Sequence, residues 1–362
     1  MHHIDCAESE YLKLVMDEKI TVYTLAKETN MSVSAVSRAF DPDSHLKEEK
    51  RRIILEAARK YNFVPNMMAS RLSKKQIRIG VLIYGAICSF YNEQIKGIQH
   101  AHQTLSDYKV SCDLKVLNRS EHTVNDLNQA LDDFLLSKPD GVIVSGVYRG
   151  EAVNKVKALT AAGIKVVCLT SDIPGCKRLF CSMSDPTEIA SIAAQLFDLF
   201  GCGKPNKNVA IFSGNMSSSS QFRIASIFTQ KIMEYGIRFA GNFDTMNDAA
   251  LAEQYIRNLL RYPNDVTGIF VSSANGLPIC SYIEEHQLQD RITLITVDTY
   301  PELKRYLQNG TVKATLYQDP FEQARLSFDL LFHYLAHNRT PNETVYSSGQ
   351  IVLKSNIDHF FK

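Results

Sequence analysis

Polar side chains follow several apolar runs of this 362-residue chain, where together they could bind a small polyhydroxylated ligand. Carboxylates and amides can take the hydroxyl groups of such a ligand, an arginine offers paired donors, and aromatic rings cover its C–H surface. We predict a binding cleft formed by Phe90, Tyr91, Asp172, Asp185, Arg223, Ser273, Asn275, Asp298 and Gln318.

Each of these positions also has a structural interpretation. A single aspartate after a strand is more often a helix cap than a ligand-binding group, which applies to Asp172. Phe90 and Tyr91 could belong to a core, and Ser217–Ser220 reads as a polar loop. The recurrence of polar residues at five strand ends on the expected face favours the binding interpretation.

Alternating strand-like and helix-like patterns provide the elements that would position these side chains. Short runs rich in branched residues predict buried parallel strands, with helices at about 92–108 and 124–137. This alternation indicates two doubly wound α/β units, whose ligands bind outside the carboxyl ends of the strands. The predicted strands are 77–83, 110–117, 141–145, 165–169, 208–212, 268–271 and 292–297.

The stretch from Ile20 to Leu72 has another pattern, which predicts a helix-turn-helix. Thr21 can cap a short helix, and Asn30 tolerates the left-handed conformation that closes it in a tight turn. Ser32 can cap a second helix, the element that enters the major groove in such motifs. A third helix is predicted near Lys47 to Tyr61. Its platform residues are Ile53, Ile54, Ala57 and Ala58.

Charge supports nucleic-acid binding by this stretch. Residues 19–75 contain 12 Lys and Arg against 6 Asp and Glu, a balance of +6, whereas the whole chain carries +1. A local basic block on a near-neutral protein is the expected footprint of phosphate binding. The alternative is that these charges only solvate an amphipathic helix, and the capped helix pair argues against it.

The same stretch resembles the LacI/GalR family of regulators. The residues that carry the resemblance are Thr21-Val22-Tyr23-Thr24-Leu25-Ala26, Ser32, Val36-Ser37-Arg38, Tyr61-Asn62-Phe63-Val64-Pro65-Asn66, Ala69 and Leu72. The resemblance implies an extension at 1–18, a helix-turn-helix domain at 19–64, a hinge helix or linker at 65–76 and an effector domain at 77–362. It divides the effector domain, like a periplasmic sugar-binding protein, into lobe one (about 77–172 and 317–345) and lobe two (about 174–314 and 346–362).

The resemblance also assigns roles to individual residues. Arg223 matches the arginine that grips the sugar in this family, whereas Ser272–Gly276 departs from the Asn-Asp common in relatives. Leu72 matches a leucine that wedges between base pairs in the minor groove, although a plain linker is the alternative. The DNA contacts implied are Thr21, Tyr23, Ser32, Val33, Ser34, Ser37, Arg38, His45, Asn66, Ala69 and Leu72.

Composition and motifs exclude several classes. No apolar run of 18 residues and no export signal is present, so we expect a cytoplasmic protein whose eight cysteines are reduced. The phosphate-loop, dinucleotide, HExxH and GxSxG motifs are absent, so we expect no enzyme and no cofactor. His333 and His337 share a helical face but lack a third metal ligand.

These observations predict a DNA-binding transcriptional regulator, by default a repressor, that is controlled by a sugar-like effector held between two lobes. Its expected partners are a pseudo-palindromic operator duplex, the small effector and a second copy of the chain, without a membrane. A solute-binding receptor would share residues 77–362 but has no use for 20–72. An α/β enzyme would share only the fold class.

Overall fold

The computed structural model describes residues 22–40, 44–61, 63, 76–85, 89–106, 108–147, 150–201, 207–261, 265–273 and 276–361. The chain divides into two compact units. One comprises residues 1–75 with 107–109, and the other comprises 76–106 with 110–362.

Three helices form the described part of the first unit: α1 (Val22–Thr29), α2 (Val33–Ala39) and α3 (Glu48–Lys60). The turn between α1 and α2 follows the predicted chemistry. Asn30 adopts a left-handed φ of 51°. The Ser32 hydroxyl accepts a hydrogen bond from the Ala35 amide at 3.2 Å. Both predicted roles are therefore confirmed.

The core of this unit joins all three helices through Leu25, Val36 and Ile54, each of which is fully buried. Phe63, just beyond α3, closes the same cluster. The prediction that Ile53 belongs to the platform is wrong, because 38% of it is exposed. Adjacent helix residues point about 100° apart, and here Ile54 faces the core with 0% exposed while Ile53 is turned toward solvent.

The second unit alternates strands and helices throughout. Its elements are β1 (Ile77–Gly85), α4 (Ser89–Thr104), β2 (Val110–Asn118), α5 (Val124–Ser137), β3 (Gly141–Ser145), α6 (Glu151–Ala161), β4 (Lys165–Leu169), β5 (Phe180–Ser184), α7 (Pro186–Phe200), β6 (Asn208–Ser213), α8 (Ser219–Glu234), β7 (Arg238–Asp244), α9 (Ala249–Leu260), β8 (Gly268–Val271), α10 (Leu277–Glu285), β9 (Thr293–Val297), α11 (Leu303–Gln308), β10 (Ala314–Tyr317), α12 (Pro320–His337), β11 (Thr344–Ser347), β12 (Gln350–Val352) and a 3-10 turn (Ile357–His359).

Two six-stranded sheets form the predicted doubly wound lobes. Their strand orders are β11-β5-β4-β3-β1-β2 and β12-β10-β9-β8-β6-β7, so both lobes wind in the same way. The pairings are parallel except for β12, which runs antiparallel to β10. The chain crosses between the lobes after β5, after β10 and after β11. The carboxyl ends of the parallel strands therefore bring polar loops together at the cleft.

The boundary between the lobes lies later than the sequence suggested. Phe180–Ser184 falls within the predicted lobe two, but it forms β5 and pairs with β4 of the first sheet. The crossover consequently follows Ser184 rather than residue 172. Within the described residues no helix is long and apolar enough to cross a membrane.

Candidate effector cleft and nucleic-acid interface

Asp172, predicted as a cleft residue, follows β4 and binds an arginine that the sequence analysis did not single out. Arg178 donates from Nε to Asp172 Oδ1 and from Nη2 to Oδ2, both at 2.8 Å. The Ile173 amide donates to the same carboxylate at 2.9 Å. Partial burial raises the pKa of Asp172, but the Arg178 fork outweighs it and the net pKa is lowered. Asp172 is thus an ionised carboxylate, with 37% of its side chain still exposed.

The loop that carries Asp172 contacts the other lobe. The Ser171 hydroxyl lies 2.9 Å from the Ser218 hydroxyl and 3.1 Å from that of Ser219. The Ser219 hydroxyl also donates to the Asp172 carbonyl at 2.8 Å. The interpretation of Ser217–Ser220 as only a polar loop is wrong, because Ser218 precedes α8 and Ser219 begins it. These serines form hydrogen bonds across the cleft.

Arg223 lies one turn further along α8 and is exposed. Its positive charge contributes to lowering the pKa of Asp172 in the opposite lobe. The charges of Arg223 and Asp172 therefore act on each other between the lobes, and a planar fork of donors is suited to paired ligand oxygens.

A second polar cluster lies where the chain crosses between the lobes, and Gln318 is at its centre. Gln318 Nε2 donates to Asp298 Oδ2 at 2.9 Å, and the Ser184 hydroxyl donates to Gln318 Oε1 at 2.7 Å. The Gln318 carbonyl accepts from the Ser347 hydroxyl at 3.0 Å and from Gln323 Nε2 at 2.7 Å. We call these five residues the crossover cluster, since they tie all three crossings together.

Asp298 in this cluster is almost fully enclosed, with 5% of the residue exposed. Burial raises the pKa of Asp298 to about 7, while the hydrogen bonds from Gln318 act in the opposite direction. Its φ of 64° is the left-handed conformation that aspartate and asparagine tolerate better than most residues. Asp298 and Gln318, both predicted to bind effector, are thus primarily bound to each other in this structure.

The remaining predicted cleft residues occupy varied environments. Phe90 is buried. The ring of Tyr91 lies over Gly85 at the end of β1, and any side chain on residue 85 would collide with this ring. Asp185 accepts from the Thr187 amide at 2.8 Å and so caps α7. Ser273 is buried just after β8. Asn275 lies outside the described residues.

The structure adds polar groups that the sequence analysis did not single out. Buried Gln94 accepts from the Ser145 hydroxyl at 3.0 Å, and Gln221 accepts from the Ser272 hydroxyl at 2.9 Å. In each lobe, therefore, a glutamine on a helix accepts a hydrogen bond from a serine at the end of a strand. Asn215 is 2% exposed, and its Nδ2 has no hydrogen-bond partner within the described part of the chain. A buried donor without a partner is costly, so Asn215 is a candidate to bind a ligand oxygen.

The candidate nucleic-acid interface is the beginning of α2. Val33 is 36% exposed, and Ser34 is exposed beside it. Arg38 is also exposed and donates from Nη2 to the Ser34 hydroxyl at 3.1 Å. His45 is exposed between α2 and α3, whereas Ser32 serves as the helix cap.

The side chains of the other predicted DNA contacts lie outside the described part of the structure. Tyr23 and Ser37 lie in α1 and α2, but their side chains are outside the described set. The predicted contacts Thr21, Asn66, Ala69 and Leu72 also lie outside the described residues.

Exchanging Val33 and Ser34 for other residues should change which duplex sequence is preferred. Both side chains are exposed at the helix start, and each altered base contact is worth roughly 1–3 kcal/mol. Selection from a randomised duplex library measures the preference. Glu56→Gln, on the exposed face of α3, serves as the control and should leave the selected sequence unchanged. An unaltered preference in the double exchange would remove these residues from base recognition.

Comparison with known proteins agrees with this architecture. A model of the periplasmic binding protein domain matches residues 79–339. The chain belongs to the periplasmic binding protein domain family. Catabolite control protein A of Priestia megaterium is 25% identical over 259 residues, covering 70% of this chain and 74% of that protein. The probable HTH-type transcriptional repressor ExuR of Bacillus subtilis is 22% identical over 350 residues, covering 93% of this chain and 98% of that protein.

The ExuR match is longer than the 286 residues of positions 77–362, so it extends into the N-terminal unit as well as the binding-protein domain. The resemblance to LacI/GalR regulators is confirmed by these relatives. As expected for a chain that is not an enzyme, the relatives are regulators and the matched domain is a binding domain.

Solved structures of similar fold include sugar-binding proteins. GanP, a glucose-galactose binding protein from Geobacillus stearothermophilus, has a TM-score of 0.70 at 21% identity and covers 78% of this chain and 99% of its own. A solute-binding protein from Burkholderia graminis in complex with D-arabinose has a TM-score of 0.71 at 20% identity, covering 80% of this chain and 99% of its own. At this level of identity the likeness establishes the two-lobed binding-protein fold.

Proposed function

We propose that this protein is a sequence-specific DNA-binding transcriptional repressor whose affinity for its operator is controlled by a sugar or sugar-like effector. The observation that carries the proposal is the presence, in one chain, of a helix-turn-helix with an exposed second helix and a two-lobed cleft. The helix-turn-helix unit distinguishes a regulator from a transport receptor, and the cleft between the lobes is the proposed binding site for the effector.

The physical basis of control is linkage between two binding events. A ligand that prefers one arrangement of the lobes changes the population of that arrangement, and any difference in its affinity for DNA then appears as regulation. The polar contacts from Ser171 to Ser218 and Ser219 join the lobes at the cleft, so they are suited to respond to an occupant.

On the DNA side, we propose a homodimer that binds a pseudo-palindromic site, because a two-fold protein matches two half-sites. Leu72 is the proposed minor-groove wedge, following the family resemblance.

The cleft chemistry supports a neutral or weakly anionic sugar as effector. Arg223 supplies paired donors, Asp172 supplies a half-exposed carboxylate, and Asn215 supplies a buried donor that lacks a partner among the described residues. A thermal-shift screen of pentoses, hexoses, polyols and sugar acids tests this directly. A true effector at 100 times its dissociation constant should stabilise the protein by about 2.7 kcal/mol.

A solute-binding receptor without a regulatory role is the competing function, favoured by the likeness to solved sugar-binding proteins. The two functions differ in one property. The regulator must enrich a defined sequence from a random duplex library, whereas the receptor binds sugar and enriches none.

Arg223→Lys should reduce affinity for the sugar found in the screen by about tenfold to a hundredfold. The substitution retains the positive charge but loses the planar pair of donors, and hydrogen bonds to charged groups contribute about 1.5–3 kcal/mol. Isothermal titration calorimetry measures the change. Arg257→Lys, at an exposed arginine that pairs with Glu253 on α9, is the matched control and should retain parental affinity. Parental affinity in Arg223→Lys would place the effector away from this arginine.

A further inference from the structure

Helix α8 begins at a residue that does not cap it. Ser218 stands at the N-cap position in an extended conformation, but its side chain forms no capping bond with the helix. Helix α9 in the same lobe has the usual arrangement, in which the Asp248 side chain accepts from the Leu251 amide at 2.9 Å. The first four amides of a helix have no partner within it, so an acceptor for those of α8 must come from outside the helix.

An acceptor for α8 comes from lobe one. The Ser220 amide, at the second position of α8, donates to the Ser171 hydroxyl oxygen at 3.4 Å. Ser171 precedes Ser220 by 49 residues and lies in the loop that follows β4. Ser171 is 8% exposed and Ser220 is 5% exposed, so water has little access to this bond. A serine of one lobe therefore occupies the capping position of a helix in the other.

The neighbouring hydroxyl groups have one consistent set of hydrogen-bond directions. Ser219 donates its single hydroxyl proton to the Asp172 carbonyl at 2.8 Å, so it accepts from Ser171 at 3.1 Å. Ser171 then has no proton left for Ser218, and the Ser218 hydroxyl donates to it at 2.9 Å. A hydroxyl group has one donor and two acceptor positions. Ser171 uses all three of them, because it also accepts from the Ser220 amide.

The loop that presents Ser171 is held in a conformation that its sequence does not favour. Thr170 has a φ of 72°, in the left-handed region that β-branched residues rarely adopt. The fully buried Gln94 donates from Nε2 to the Thr170 hydroxyl, and the Thr170 amide donates to the Ser182 carbonyl at 2.7 Å. Strained backbone of this kind persists where surrounding bonds determine it. Lobe one therefore fixes the position from which Ser171 reaches α8.

The beginning of α8 carries side chains of the cleft edge. Gln221 Oε1 accepts from the Gly214 amide at 3.0 Å and from the Ser272 hydroxyl at 2.9 Å, which joins the helix to the residues that follow β6 and β8. Arg223 follows Gln221 by two residues. Fraying of the first turn would displace both side chains. A cap that depends on contact between the lobes therefore makes the geometry of lobe two depend on lobe one.

We propose that Ser171 is a positioning residue of the effector site, which caps α8 from the opposite lobe so that approach of the lobes orders the helix turn preceding Arg223. The proposal deepens the regulatory function proposed above and rests on it, since it describes how the cleft for the effector is assembled. A sugar that binds both lobes keeps Ser171 against α8. Separation of the lobes removes the cap and exposes the first amides of α8 to water.

Amide hydrogen exchange of the full-length protein, resolved to single residues, tests the cap without any sugar. Ser171→Ala should speed exchange of the Ser220 amide by about 2- to 30-fold, the usual strength of a helix cap. Ser171→Thr retains the hydroxyl and should restore exchange close to that of the parent. Asp248→Ala is the matched control, because it removes a cap that lies within lobe two. It should speed exchange of the Leu251 amide and leave that of Ser220 unchanged.

The parent protein provides a second test that needs no variant. An uncapped amide at the second position of a helix exchanges at close to the rate of an unstructured chain, whereas the Ser220 amide should be protected. Exchange of Ser220 at the unstructured rate would overturn the proposal. An unchanged rate in Ser171→Ala would also overturn it. So would acceleration spread equally over the amides of both lobes, because that pattern indicates global destabilisation.

Calorimetry separates positioning by Ser171 from direct contact with a sugar. The probe is the pentose, hexose, polyol or sugar acid that gives the largest thermal shift with the parent. Ser171→Ala should lower its affinity by up to about 30-fold, and Asp248→Ala should leave it unchanged. Reduced affinity combined with parental exchange of Ser220 would mean that Ser171 binds the sugar itself, which would overturn the proposal. If no sugar binds, the effector function fails, and exchange alone then decides whether Ser171 caps α8.

Discussion

Asp298→Asn should remove a pH dependence of stability that the parent protein shows between about pH 4 and pH 7. Burial raises the pKa of Asp298 to about 7, so the folded protein holds a proton that the unfolded chain releases near its ordinary value of 3.8. The free energy of unfolding contributed by this group is therefore greatest at low pH and falls as pH rises through 7. A difference of about three units between the pKa of Asp298 in the folded and unfolded protein corresponds to a contribution of about 4 kcal/mol at most to the free energy of unfolding.

Asparagine suits this position because its side chain is neutral and can still accept from Gln318, and because it tolerates the left-handed φ. Urea unfolding at about pH 5 and about pH 8 measures the effect. Asp290→Asn, at an exposed carboxylate, should leave the parental profile unchanged. A variant that retains the full pH slope would mean that Asp298 is ionised in the folded protein.

Gln318→Ala should destabilise the protein by about 2–5 kcal/mol, because two buried polar groups lose their partner. The Asp298 carboxylate loses a donor at 2.9 Å and the Ser184 hydroxyl loses an acceptor at 2.7 Å. The bonds to the Gln318 carbonyl survive, since they use the main chain.

Chemical denaturation followed by circular dichroism measures this loss. Gln230→Ala is the matched control, because Gln230 bonds Glu234 on the exposed face of α8 and a surface change costs within about 0.5 kcal/mol. If Gln318→Ala lowers the free energy of unfolding by less than about 1 kcal/mol, water replaces the glutamine side chain and the crossover cluster does not exclude solvent.

The fold was largely predictable because its strands are short runs of branched apolar residues. Gly141–Ser145, Lys165–Leu169 and Gly268–Val271 appear with the bounds expected from sequence. β5 was not predicted, since Phe-Cys-Ser-Met-Ser lacks the branched residues that mark a buried strand. Its assignment depends on pairing with β4, which is a tertiary property.

The cleft was predictable only as a set of positions. Polar residues after strands identified Asp172 and Asp298, because strand ends meet at one edge of each sheet. Their partners were not predictable: Arg178 lies in a loop with no motif, and the bond from Gln318 to Asp298 depends on how the chain crosses between the lobes. Sequence pattern specifies which edge a residue occupies, but not which neighbour it binds.

Coupling between sugar and DNA is the most direct test of the central claim. The duplex selected from the random library is titrated with full-length protein at fixed salt, with and without the sugar from the thermal-shift screen. Calorimetry then measures sugar affinity with and without the duplex. We predict that sugar changes DNA affinity by about 5- to 150-fold and that DNA changes sugar affinity by the same factor. Tight sugar binding with no sequence selected, or with DNA affinity unchanged, would contradict a regulatory role and favour the solute-binding receptor.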